Sequence, residues 1–107
     1  MVGWGEVTVG ETVFAYWQQF EGYFVATVVE QTDNGYCVVC EDGDVAELPP
    51  AQIVKFNIQA QMQVFARWTD GQYYPGRIGQ TVGRASFIHY EDGDQCWVPL
   101  AWIAVKP

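Results

Sequence analysis

A chain of 107 residues, half of them apolar and including five Trp, six Tyr and six Phe, has room for one ordinary domain or two very small ones. Thirteen acids against five bases give a net charge of -8, which repels phosphate backbones and argues against nucleic acid as the main partner. No apolar run approaches the roughly 18 residues that a membrane span needs, and the three cysteines are an odd number, against a closed disulfide framework. The opening MVGWGEVTVG has neither the basic region nor the apolar core of a signal peptide. The expectation is a soluble intracellular chain, or a piece cut from a longer one, with no membrane partner.

In chain order, a lead segment over 1–9 precedes the first pattern of strands. Short runs rich in Val, Ile, Phe, Tyr and Thr, broken by Gly and Asp, predict strands at 12–17, 23–30, 35–41 and 44–48. A turn at PPAQ and a short strand at 53–55 follow. FNIQA at 56–60 is a linker with no flexible Gly/Ser run. The pattern then repeats, with strands at 62–68, 73–80, 84–90 and 94–98, a turn at PLAW and a strand at 103–105. No segment holds a sustained helical period. The fold class is therefore all-β, and five short strands in about 45 residues form a small, strongly bent barrel.

The repetition is in the letters as well as the pattern. TVFAYW at 12–17 answers QVFARW at 63–68, and YFVATV at 23–28 answers YYPGRI at 73–78. EDGD occurs at 41–44 and again at 91–94, followed by Pro49, Ala51 and Ile53 in one copy and Pro99, Ala101 and Ile103 in the other. From Tyr23 onward the offset is fifty residues. The domain reading is repeat 1 over 10–55 and repeat 2 over 61–107. Repeat 1 holds eight acids and one Lys, whereas residues 60–107 hold four acids and four bases. The first copy is thus an acidic guide for a basic chain, by an attraction that salt weakens.

Candidate chemistry gathers at the strand ends of repeat 2. Trp68 ends one strand, Tyr74 enters the next, Tyr90 ends the third, and Asp92 lies in the turn after it. If these ends meet at one mouth, three aromatic walls and a carboxylate make a box for a methylated ammonium. Cation–π attraction holds the charge, and each methyl lowers its hydration and adds apolar contact. The competing reading is that the three rings fill the core, as rings in small barrels do. EDGD is also what a plain hairpin turn requires, and it lacks the spaced acids and closing Glu of a calcium loop. CVVC at 37–40 sits in a strand, where residues three apart point to opposite faces and cannot share one metal ion. His89, the single histidine, neighbours Tyr90 on the opposite face. No nucleophile signature, phosphate loop or His cluster marks an enzyme, and no cofactor is expected.

At these residues the sequence resembles the Tudor family. VFARWTDGQYYPGRI and IHYEDGDQCWVPLAWI are similar to the Tudor domain of the Polycomb-like chromatin proteins, and the two copies resemble tandem Tudor modules. The resemblance implies two tandem SH3-like, Tudor-like barrels. It also implies a nuclear, non-enzymatic role in binding a methylated lysine on a basic peptide such as a histone tail. Carried over, Trp68, Tyr74 and Tyr90 match the cage aromatics and Asp92 an acidic cage position. The family's further aromatic falls on Cys96, so Trp97 supplies a fourth wall only if the turn shifts register by one; Asp94 is a further candidate. In repeat 1 the corresponding set is Trp17, Phe24 and Asp42, with Cys40 where repeat 2 has Tyr90. The alternatives are methylarginine, a proline-rich peptide, or a structural barrel that ignores methyl groups.

Overall fold

A computed structural model describes residues 7–106. Residues 1–6 of the expected lead segment lie outside the described residues. The chain divides between Phe56 and Asn57 into two compact units. In unit 1 the strands are β1 (Thr12–Trp17), β2 (Gly22–Thr32), β3 (Gly35–Cys40), β4 (Val45–Leu48) and β5 (Ile53–Lys55). In unit 2 they are β6 (Gln63–Arg67), β7 (Tyr73–Val82), β8 (Ala85–Tyr90), β9 (Gln95–Pro99) and β10 (Ile103–Val105). A one-turn 3-10 helix precedes the last strand of each unit, at Pro50–Gln52 and Leu100–Trp102. All described pairings within the units are antiparallel, and the order is the same in both: β5-β1-β2-β3-β4 and β10-β6-β7-β8-β9. The protein is all-β, two tandem five-stranded SH3-like barrels.

The sequence repeat becomes a repeat of register. Cys37 pairs with Glu47 on β3 and β4, and Phe87 with Trp97 on β8 and β9, each fifty residues on. The second strand of each unit carries a bulge at the same place, between Val28 and Glu30 and between Ile78 and Gln80. A bulge bends its strand and sharpens the local twist, which lets a strand of ten or eleven residues curl round so small a core. Both long strands outrun the expected 23–30 and 73–80 by about two residues, because the bulge carries pairing on to the next turn.

Strand alternation decides what is buried. Val64 and Ala66 of β6 are buried while Gln63 and Arg67 are exposed. Val28, Val38 and Ile53 fill the first unit, and Ile78, Ile88, Val98 and Ile103 the second. Each such side chain contributes roughly 1.5–3 kcal/mol when fully buried. Tyr36, Val38 and Cys40 face inward on β3, and Cys37 and Val39 outward, so the two sulfurs of CVVC stand on opposite faces.

Candidate functional site: a cavity at the strand ends of unit 2

Two hairpin turns with the same pattern build this site. In the first, Trp68 is followed by Thr69, Asp70 and Gly71; in the second, Tyr90 is followed by Glu91, Asp92 and Gly93. Trp68 N–H donates to the Gln72 carbonyl at 2.8 Å and Gly71 N–H to the Trp68 carbonyl at 2.9 Å. Tyr90 N–H donates to the Asp94 carbonyl at 2.8 Å and Gly93 N–H to the Tyr90 carbonyl at 3.0 Å. Gly71 (φ 86°) and Gly93 (φ 99°) take the left-handed position that closes a tight turn with a bulge. The Asp before each Gly folds back on its own turn. Asp70 Oδ1 accepts from Gln72 N–H at 2.8 Å, and Asp92 Oδ1 from Asp94 N–H at 3.0 Å. Each turn thus fixes a ring and a carboxylate two residues apart.

These turns meet around an open cavity of about 200 Å³ lined by Trp68, Asp70, Tyr74, Tyr90, Asp92 and Asp94. Trp68 stands edge-on to Tyr90, ring centres 5.2 Å apart at 85°. Tyr90 is the floor: it is 5% exposed, and its hydroxyl donates to the Arg67 carbonyl at 2.9 Å. Burial, with the Cys96 thiol and the Asp92 carboxylate nearby, pushes the Tyr90 phenol well above its ordinary range. Tyr74 is a wall and more open, at 38% exposure, and its hydroxyl donates to Asp70 Oδ2 at 2.6 Å. That bond and the Gln72 N–H hold the Asp70 carboxyl below its usual value. The same bond raises the Tyr74 phenol, so at neutral pH the pair is a carboxylate accepting from a neutral phenol.

The expected Trp68, Tyr74, Tyr90 and Asp92 are brought together here, with Asp94 beside them. Trp97 is not among the lining residues. No register shift occurs in the turn: Cys96 pairs with Ile88 and Trp97 with Phe87, so Cys96 falls on the Tyr90 side of the sheet and Trp97 on the other. Cys96, on which the ungapped match falls, is not among the lining residues either. Asp70 was missed. The shared pattern of an aromatic, one residue, then Asp-Gly marks Asp70 as a turn former like Asp92, and it is the return of Tyr74 across the hairpin that brings it to the cavity.

Unit 1 handles the equivalent positions differently. Trp17 Nε1 donates to the Cys40 thiol, which is buried and pushed up to about 12 by that burial. Phe24 is 6% exposed, where Tyr74 is 38% exposed. Between Trp17 and Tyr23 the chain has one residue more than between Trp68 and Tyr73, and Phe20 in this stretch stands edge-on against Phe24, ring centres 5.1 Å apart. It carries no Asp-Gly, and Glu21 takes the left-handed conformation instead (φ 53°). Asp42 stays exposed in its turn, accepting from Asp44 N–H at 3.2 Å.

Neither a family model nor a curated protein matches the chain. Among solved structures it is similar to the tandem tudor domains of Crb2, with a TM-score of 0.66, 15% identity, and coverage of 95% of this chain and 81% of that one. It also matches AGD34 of Arabidopsis thaliana AGDP1, with a TM-score of 0.48, 13% identity, and coverage of 92% of this chain and 81% of that one. The likeness to the Crb2 domains establishes the tandem Tudor fold. Among the described residues, no helix is long and apolar enough to cross a membrane, and no group of three or more His, Cys, Asp or Glu is placed to hold a metal ion.

Proposed function

We propose that unit 2 is a non-enzymatic reader of methylated lysine on a basic, histone-like peptide, with the ammonium seated in the strand-end cavity. One observation carries the reading: three aromatic side chains and three carboxylates line the same open cavity. A methylated ammonium needs both. The rings attract its diffuse charge and cover its methyls, and the acids keep the surrounding potential negative. Trp68 and Tyr74 serve as walls, Tyr90 as the floor, and Asp92 and Asp94 as rim charges. Asp70 serves twice, as a rim charge and as the anchor of Tyr74. Unit 1, with eight acids and one Lys over 10–55, attracts the basic chain without a comparable box, since its Phe24 is covered. A nuclear location accords with this reading.

The test is a titration followed by tryptophan fluorescence, using one basic peptide with zero, one, two or three methyls on its lysine. Affinity rises with methylation and weakens as salt is added. Equal binding of all four peptides would reduce the site to general attraction of basic chains.

A further inference from the structure

The outer face of β7, β8 and β9 differs from the rest of the molecule. On a strand, neighbours in sequence point to opposite faces. Tyr90 lines the cavity, so His89 faces out; Cys96 lies beside Tyr90, so Trp97 faces out. Register sets two rows across this outer face: Arg77, His89 and Gln95, then Gln80, Phe87 and Trp97. The three rings form one cluster. Phe87 lies 5.2 Å from His89 and 5.3 Å from Trp97, centre to centre. Trp97 is 49% exposed.

Unit 1 shows that the fold does not require these rings. The same positions there are Cys37, Val39 and Glu47, in the same register. With Phe87 beside it, the half-exposed Trp97 makes a contiguous apolar patch where unit 1 has Cys37 and Glu47, and contiguous exposed patches mark interaction sites. Charge says what kind of partner the patch takes. The chain carries thirteen acids, yet neither row holds one. Arg77 brings a fixed positive charge and His89 a ring N–H. The acid just beyond the rows, Glu91, accepts from Gln63 Nε2 at 3.5 Å. Within unit 2, β9 pairs with β8 alone, so its other edge presents backbone donors and acceptors to an extended segment.

We infer that this face is a second binding surface, which takes an extended acidic peptide carrying an apolar or aromatic residue. The apolar side chain packs on Trp97 and Phe87, and a neighbouring carboxylate meets Arg77. A basic tail directed to the cavity finds no carboxylate in these two rows, so the two surfaces favour opposite kinds of chain.

The experiment is a selection of random dodecapeptides displayed on phage, run against the full chain and against Trp97→Glu, which installs the residue unit 1 holds at this place. The unaltered protein enriches acid-rich peptides with an aromatic, leucine or proline, and the variant does not. A synthetic peptide of the enriched sequence shifts the Trp97 indole N–H and Phe87 resonances. Its affinity falls at least tenfold in Trp97→Glu and in Phe87→Cys, and is unchanged in the cavity variant Trp68→Ala. A melting curve on each variant establishes that it is folded. Enrichment that survives Trp97→Glu, or that favours basic peptides, overturns the inference. So does an oligothymidylate that shifts the same resonances while no acidic peptide does, or broadening of those resonances with protein concentration alone, which would make the face a contact between copies.

Discussion

The Tyr74 hydroxyl, on β7, donates at 2.6 Å to Asp70 in the turn that precedes the strand, so one wall of the cavity is held upright by one of its own acids. The bond ties two titrations together. Asp70 is depressed below its ordinary 3.8, chiefly by the Tyr74 hydroxyl and then by Gln72 N–H. Its stabilising effect is therefore full above about pH 4 and is lost as pH falls through its folded-state value. Tyr74 is raised above its ordinary 10.0 by the same partner. Its effect is full below pH 10 and is lost as pH rises through the raised value. Peptide affinity attributable to this wall stays level from pH 5 to 9. NMR titration of the tyrosine ring carbons in Asp70→Asn brings Tyr74 back toward 10. An unmoved Tyr74 would mean that the bond is not formed in solution.

Trp68 is half-buried and meets Tyr90 edge-on. Removing the ring in Trp68→Ala forfeits one face of the box, worth about 1–2 kcal/mol of binding, or roughly five- to thirty-fold in affinity. The edge-on pair contributes about 0.5–1.5 kcal/mol to folding on top of the burial of a ring that is only half covered, so the variant melts lower but remains folded. Calorimetric titration with a trimethyl-lysine peptide, beside a thermal melt, separates the two effects. Collapse of the melt would place Trp68 in the core instead.

Tyr90 behaves differently because it is the floor. Tyr90→Phe keeps the ring and deletes the bond to the Arg67 carbonyl, at a cost of about 1 kcal/mol. The melting midpoint falls by roughly 4–8 °C for a unit this small, while methyl-lysine affinity changes less than in Trp68→Ala. Tyr90→Ala leaves a void at a buried site and costs roughly 3–5 kcal/mol, enough to threaten unit 2. A loss of binding in that variant reports unfolding unless circular dichroism shows otherwise.

Of the three thiols, Cys40 is the one withdrawn from water. It is 4% exposed, its thiol pushed up to about 12, whereas Cys37 and Cys96 are partly exposed. The thiolate is the reactive form. With a disulfide reagent at neutral pH, Cys40 therefore reacts slowest and is released only on adding denaturant. Mass spectrometry of the modified peptides identifies it; early labelling of Cys40 would show that the Trp17 contact opens in solution.

Much of this was legible in the letters. Alternation assigns Val64 and Ala66 to the inside, and the fifty-residue offset carries Tyr90 and Asp92 to their counterparts Cys40 and Asp42. Three things were not legible, each because it depends on curvature rather than pattern. The depth of Tyr90 follows from how tightly the barrel closes over it, and periodicity encodes direction without depth. The side on which Trp97 lies depends on whether the EDGD turn absorbs an extra residue, which Asp and Gly allow either way. Asp70 reads locally as a turn former, and only the return of Tyr74 across the hairpin makes it part of the cavity.

The two copies differ at one turn in a way that can be tested by moving a single methyl group. In unit 1 the β2–β3 turn is Asp33-Asn34 before Gly35, and a Cβ on Gly35 would collide with the Leu48 carbonyl oxygen and stand 2.9 Å from Pro49 Cα. Both obstacles are backbone, so no rotamer relieves them. Yet the equivalent residue in unit 2 is Ala85, paired opposite Pro99. Unit 2 manages this with the left-handed residue placed earlier, at Gly83 (φ 57°). Gly35→Ala therefore forces unit 1 either to part β3 from the end of β4 or to rebuild its turn with Asp33 left-handed, a conformation Asp tolerates better than most residues. Parting the strands costs roughly 3 kcal/mol or more and speeds amide exchange at Tyr36 and Val38. Rebuilding the turn costs about 1–2 kcal/mol and leaves those amides protected. Gly43→Ala is the control, since Gly43 is left-handed (φ 102°) with nothing within 4 Å. A Gly35→Ala chain as stable as the unaltered protein would show that the close approach of β3 to Leu48 is not kept in solution.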